Sequence, residues 1–590
     1  MSPSLHRSSC LRRILHRYSV LLIVCALCLP STAAQAALKV TLQGLNDAQR
    51  ENVRLFLGLK EKSPPKSETH LRRLFRQAPQ EIRQALRAIG YYQPEIESGL
   101  EQRGQDWEAR FTIKPGVPVR VTALDIAIET PPQEPDSVFE KTLAGFPLRI
   151  GDVLHHGLYD KAKRDWRVLA DERGYFDAHF TSHRMEVDVA RNSAVIRLHY
   201  VLGQRYRLGA VTFEQQGYKT DYLARFVPFE PDTPYTASRL VDLRTRIENS
   251  DHFANVEVSA QRKAAKDHVI PVLVTLSNRP KYKFTSGIGY GTDTGPRLTL
   301  GWENRRVNSA GHRFTSALTL SDINSGLTAL YSIPLRDPSR ERLEFLASRL
   351  TEDTDTVDSR TSILGVRRIK VRADKWLETL YLNAQQESFR VGADSGHSTL
   401  LLPGINWTRT RKRAGAYLQS GDRLFFEVKG SDAWLGSDTR FMQVVGKGKL
   451  IKALNKKSRV LLRLDLGVSE VGSFSELPAS QRFFAGGDQS VRGYDYNSLG
   501  PEDETGDVIG GRYLMVGSLE YERQILDKWS VALFYDVGNA MDVLTDPLMH
   551  GAGIGVRWQT PIGPVRIDIA SALDKADRPL RLHLFFGPDL

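Results

Sequence analysis

Cysteine is nearly missing from this sequence. The only three, Cys10, Cys25 and Cys28, crowd the N-terminus, so everything downstream lacks disulfides, thiolate metal sites and cysteine nucleophiles. Long apolar runs are missing too. Beyond the N-terminal segment no stretch reaches the roughly 18 apolar residues of a membrane helix. Membrane entry would therefore require a closed β-barrel, the other structure that satisfies every backbone polar group in lipid. The glycines of SGIGYGTD do not follow the G-x-G-x-x-G spacing of a dinucleotide loop. His155 and His156 are adjacent, point to different sides and make a poor metal pair. No Ser/His/Asp set sits in a strand–turn–helix context, so neither an enzyme nor a cofactor is expected.

The N-terminus itself carries Arg7, Arg12, Arg13 and Arg17, then an apolar stretch from about Ser19 to Leu29, then Ala34-Gln35-Ala36. That order reads as a secretory signal over residues 1–36. Its removal takes four arginines and lowers the net charge from +12 to +8. So small an excess on a long chain suits anionic lipid or anionic partners and does not argue for nucleic acid.

From about Ala37 to Pro280, three segments place an amphipathic helix before an aromatic residue and a strand: EIRQALRAIGYYQPEIE, DWRVLADERGYFDAHFT and DLRTRIENSDHFANVEVS. Aligned on Tyr92, Phe176 and Phe253, they stack Ile82, Trp166 and Leu243 in one column and Leu86, Ala170 and Ile247 in another. The i, i+4 spacing puts each pair on one helix face. A period of about eighty residues suits small α+β domains joined by short linkers better than a solenoid. The expected boundaries are 37–116, 117–203 and 204–279.

From about residue 280 to 590 helical periodicity gives way to alternating segments of about ten residues, the signature of an outer-membrane barrel. Sixteen candidate strands can be counted, an even number as such barrels require. In RVLLRLDLGVS, Leu461, Arg463, Asp465 and Gly467 share one face and Leu462, Leu464, Leu466 and Val468 the other. The basic run Arg409–Gly415 reads as an exposed rim or loop.

Between strands ending near Val471 and starting near Gly511 lies a glycine-rich loop of about forty residues, long enough to be functional. Strand counting puts it on the outer side. It carries Arg492-Gly493-Tyr494. Folded back into a polar lumen, the guanidinium would need acidic partners. Glu520 and Asp536 alternate with apolar neighbours on the next two strands, so both are expected to face the lumen.

VRGY in this loop, F-x-D-x-G at Phe534–Gly538 and GIGVRWQTPIGPVRIDIA at Gly553–Ala570 resemble the signature of the BamA/TamA outer-membrane assembly superfamily. The resemblance covers the chain from Ala37 onward. It implies periplasmic POTRA domains followed by a sixteen-stranded barrel, and Arg492 inserted against Glu520 and Asp536. Three POTRA-like repeats and a GPDL ending resemble the TamA branch. That branch implies help in inserting β-barrel clients such as autotransporters, with a periplasm-spanning partner resembling TamB contacting the first domain. Two alternatives stay open, a secretion channel for one dedicated exoprotein and a conduit for phospholipid.

The barrel must close between a first strand near Lys281–Thr292 and a last near Leu580–Leu590. Gly287, Gly289 and Gly291 leave one face of the first strand thin, and glycines 551, 553 and 555 read the same way. In the last strand Pro588 has no N–H to give and Gly587 favours a bend. Few hydrogen bonds are expected across this seam, with the C-terminal residues bending away. Gly289 and Leu584 are a first guess at facing positions.

Overall fold

The computed structural model describes residues 38–61, 67–104, 106–131, 135–413, 420–560 and 563–586. The expected signal at 1–36, Gly587, Pro588 and the GPDL ending lie outside them. The chain divides into two compact units, residues 1–206 with 234–237, and residues 207–233 with 238–590.

The first unit holds two small α/β sheets. In one, strand Asp106–Lys114 is central, parallel to Leu38–Gln43 and antiparallel to Glu95–Arg103. In the other, Ser193–Val201 is central, parallel to Arg120–Glu129 and antiparallel to His179–Asp188. The helices start and stop where local chemistry dictates. Asn46 and Gln49 form a reciprocal capping box ahead of helix Asp47–Phe56. Helix His156–Arg173 ends at Gly174, whose φ of +88° suits a residue without a Cβ. Ile82 and Leu86 on helix Glu68–Ala88, and Trp166 and Ala170 on His156–Arg173, are fully buried against their sheets. His155 caps the latter helix by accepting from Leu158 N–H, and His156 Nε2 lies 2.7 Å from Tyr92 Oη, so the two imidazoles serve separate neighbours.

The second unit begins with a third sheet of the same kind. Val269–Asn278 pairs parallel with Arg207–Glu214 and antiparallel with Phe253–Ala260, and helix Ala237–Glu248 buries Leu243 and Ile247. Polar contacts fasten this domain to the barrel. Lys219 N–H donates to Ser309 C=O at 2.9 Å, and Arg313 donates to Ser250 C=O. Arg246 meets Asp337 and Arg305 meets Asp251, each at 3.2 Å.

Sixteen strands form a closed antiparallel barrel, from Tyr282–Gly291 to Leu580–Phe586, each beside its neighbour in sequence. Alternation sets the two faces. Leu462, Leu464, Leu466 and Val468 are exposed on the outside, while Leu461 and Gly467 are buried on the opposite face. Arg409–Arg413 end the longest strand, Asp394–Arg413, where Arg409 and Arg411 both pair with Asp422; this part of the basic run is strand and not loop.

Candidate functional site: the inward loop and the barrel seam

The segment between strands Ser458–Val471 and Tyr513–Leu526 packs inside the barrel. Its first part is anchored by Arg482, whose guanidinium reaches Asp394 and the Ile509 and Ser475 carbonyls, each at 3.0 Å, and whose side chain is fully buried. Ser480 N–H donates to Glu387, and Gln443 donates to Gln481 C=O. Such contacts satisfy the polar backbone of a buried irregular segment.

Arg492 sits deeper. Its Nε donates to Asp536 Oδ2 at 2.7 Å and Nη2 to Asp536 Oδ1 at 2.9 Å, a bidentate pair. Its own backbone N–H donates to the same carboxylate at 3.1 Å. Nη1 reaches Glu520 at 2.9 Å and Asp568 at 3.1 Å, and Nη2 reaches Ser518 at 3.3 Å. The guanidinium lies 3.4 Å from the Phe534 ring centre. Glu520 and Asp568 are shared with a second buried arginine, Arg557, whose Nη2 donates to Glu520 at 2.7 Å and whose Nη1 contacts Asp568. Two guanidiniums and three carboxylates thus compensate one another where single charges would be costly.

Gly493 follows with φ of +99°, and a Cβ there would collide with the backbone of Ser571 and Ala572. Tyr494 is buried and donates to Asp574 at 2.9 Å. Gly551 and Gly555 are both buried, the former directly beneath the loop. A Cβ on Gly551 would strike the Arg492 carbonyl, and one on Gly555 would strike Asp568 and Arg557. The expectation of a weakly packed face at 551–555 is therefore corrected: its thinness is filled by the loop backbone at Gly551 and by the Phe534, Arg557 and Asp568 side chains at Gly553 and Gly555.

Sequence parity places Glu520 and Asp536, and both lie within reach of Arg492. The same reasoning passed over Asp568 and Arg557, although Val556, Trp558, Ile567 and Ile569 beside them are exposed on the outer face.

At the seam, among the described residues, strand Tyr282–Gly291 meets Leu580–Phe586 in a single registered pair, Gly291 with Phe585. Beside it, Thr292 N–H donates to Leu584 C=O at 3.2 Å, and Leu584 N–H donates to Thr292 Oγ1 at 3.1 Å. The same last strand pairs with Gly563–Ala572 from Val565–Phe586 through Ser571–Leu580 without interruption. Leu584 therefore faces Thr292, and the guess of Gly289 is corrected; with so little ladder, the alternating pattern does not fix the register. Gly289 and Gly291 line a cavity of about 320 Å³ shared with Asp488, Tyr496 and Phe585. A Cβ on Gly287 would meet nothing within 4 Å.

Residues 294–587 match the Omp85 superfamily domain, and residues 39–115 match the POTRA domain described as TamA domain 1. The chain thus carries an Omp85 superfamily domain preceded by a TamA-type POTRA domain. It is 22% identical over 519 residues to the outer membrane protein assembly factor BamA of Neorickettsia risticii, covering 82% of this chain and 68% of that one. Against BamA of Neisseria meningitidis serogroup B it is 21% identical, over 58% of this chain and 51% of the relative. The crystal structure of Haemophilus ducreyi BamA lacking POTRA domains 1–3 shares the fold, with a TM-score of 0.66 and 17% identity over 79% of this chain and 99% of that one. The barrel accordingly lies in the outer membrane, with its POTRA domains in the periplasm.

Proposed function

We propose that this protein is an outer-membrane assembly factor of the TamA type, helping β-barrel clients, autotransporters among them, to insert through its seam. The observation that carries the reading is the single registered pair that joins first and last strands among the described residues, in a barrel whose other neighbours pair at length. A nascent client strand can add to a parted edge through backbone hydrogen bonds, which needs neither cofactor nor covalent chemistry. In this reading Arg492, Gly493, Tyr494, Glu520 and Asp536 act as a latch that keeps the loop inside. Gly287, Gly289 and Gly291 thin the lumenal face of the parting edge. The surrounding outer-membrane lipid receives the finished client.

The first domain, matched as TamA domain 1, supports a periplasmic partner resembling TamB. Depletion followed by outer-membrane profiling tests the whole. Loss of many barrel proteins is expected. Loss of one exoprotein alone would favour a secretion channel, and disturbed lipid asymmetry with normal barrels would favour a phospholipid conduit. Co-purification from cross-linked membranes tests the periplasmic partner.

A further inference from the structure

One loop carboxylate touches both sides of the seam. Thr292, directly after the first strand, donates its hydroxyl to Asp488 at 2.9 Å. From the last strand, His583 Nδ1 lies 2.5 Å from the same Asp488 oxygen. His583 Nε2 is 2.9 Å from Gly493 N–H, the residue after Arg492. A backbone N–H can only donate, so Nε2 holds the lone pair and Nδ1 carries the proton given to Asp488. His583 is 2% exposed, and the Asp488 side chain 7%.

We propose that Asp488, His583 and Thr292 are positioning residues that clip the inward loop to both seam strands, so that freeing the loop and parting the seam are one event. This rests on the reading that the seam opens in function. Among the described residues the direct bonds between the two strands are few, and the two bonds meeting on Asp488 add a charge-assisted bridge across the gap. Only three residues separate Asp488 from Arg492, itself held by Asp536, Glu520 and Asp568. Pulling Arg492 from its site therefore draws Gly493 off His583 and Asp488 off Thr292. The ligand atoms of Asp293, Asp488 and His583 also lie within 4.8 Å of one another, as a divalent cation would need. The protonated Nδ1 cannot ligate, however, so hydrogen bonds and not a metal hold the clip.

The test uses the full chain in outer-membrane vesicles, with spin labels on the outward residues Ile288 and Leu582, exposed by 82% and 56%. Pulsed dipolar spectroscopy reads the seam width, and protease cleavage within Arg482–Gly500 reads the loop. Asp488→Asn and Thr292→Val are expected to raise the wide-seam population at least about tenfold, as loss of hydrogen bonds to a charged group implies, and to expose the loop in parallel. Arg492→Ala, which alters no seam strand, is expected to widen the seam as well. His583→Gln, whose amide can accept from Gly493 and donate to Asp488, is expected to stay closer to wild type than His583→Ala. If His583→Ala fails to reach the membrane, the Asp488 and Thr292 variants carry the test. A freed loop with an unchanged seam, or a widened seam with a protected loop, would overturn the clip; so would opening by a chelator in the unmodified protein. Client insertion is scored separately. A wider seam with unaltered insertion would leave the clip standing and refute the assembly reading.

Discussion

Arg492 and Asp536 join a loop to a barrel strand through three hydrogen bonds to one carboxylate, two from the guanidinium and one from the arginine's own backbone N–H. Asp536 is completely buried. Arg492→Ala strands it, along with a share of Glu520 and Asp568, at a cost on the order of 3–5 kcal/mol. The expected outcome is a loop cleavable within Arg482–Gly500 while the periplasmic domains stay folded, read by limited proteolysis. Arg492→Lys should rescue little, because a single ammonium cannot make the bidentate pair.

Arg492 and Arg557 share Glu520 and Asp568. Their alanine variants should therefore be non-additive by about 0.5–3 kcal/mol. A double-mutant cycle on the barrel's unfolding in detergent checks this. Simple addition of the two effects would mean the arginines act independently.

Gly551→Ala removes no charge, yet its Cβ would occupy the position of the Arg492 carbonyl. The expected result is the protease sensitivity of Arg492→Ala with all charged groups intact. A protected loop in Gly551→Ala would show that the backbone approach does not matter.

In the third periplasmic domain, burial, assisted by the nearby Arg313 charge, pushes the His252 imidazole down to about 3. The folded state favours the neutral ring, while the unfolded chain takes up a proton near its ordinary value of about 6.5. This contribution to stability is complete above that value and falls as the pH drops through the window toward 3. Between pH 7 and 5 the loss is about 2 kcal/mol. Denaturant titration of the full protein at pH 7 and 5 measures it. His252→Phe, packed among Tyr218, Tyr222 and Phe253, should lose less over the same interval.

Much of this architecture is legible in the sequence because period reports burial. Ile82, Trp166 and Leu243 align in one column and are all buried, and the leucines of RVLLRLDLGVS alternate as the barrel wall requires. Parity on single strands likewise places Glu520 and Asp536. Arg557 and Asp568 on the next two strands carry the same signal, since both sit between outward apolar residues. His583, between Leu582 and Leu584, carries that signal as well. Asp488 carries none, because a loop has no period and its partners come from two distant segments, Thr292 with Asp293 and the last strand's His583. The seam register is out of reach for a related reason: one registered pair among the described residues leaves little hydrophobic pattern to fix it.

The most direct measurement is a reversible lock on the seam. Gly291 and Phe585 face each other, next to the bond from Thr292 N–H to Leu584 C=O, so they occupy a non-hydrogen-bonded position where side chains approach closely. With the chain's three cysteines confined to residues 10, 25 and 28, Gly291→Cys with Phe585→Cys places one new pair across the junction. Oxidised protein in membranes should stop inserting β-barrel clients, and reduction should restore the rate. Client insertion at the full rate with the disulfide closed would contradict the account.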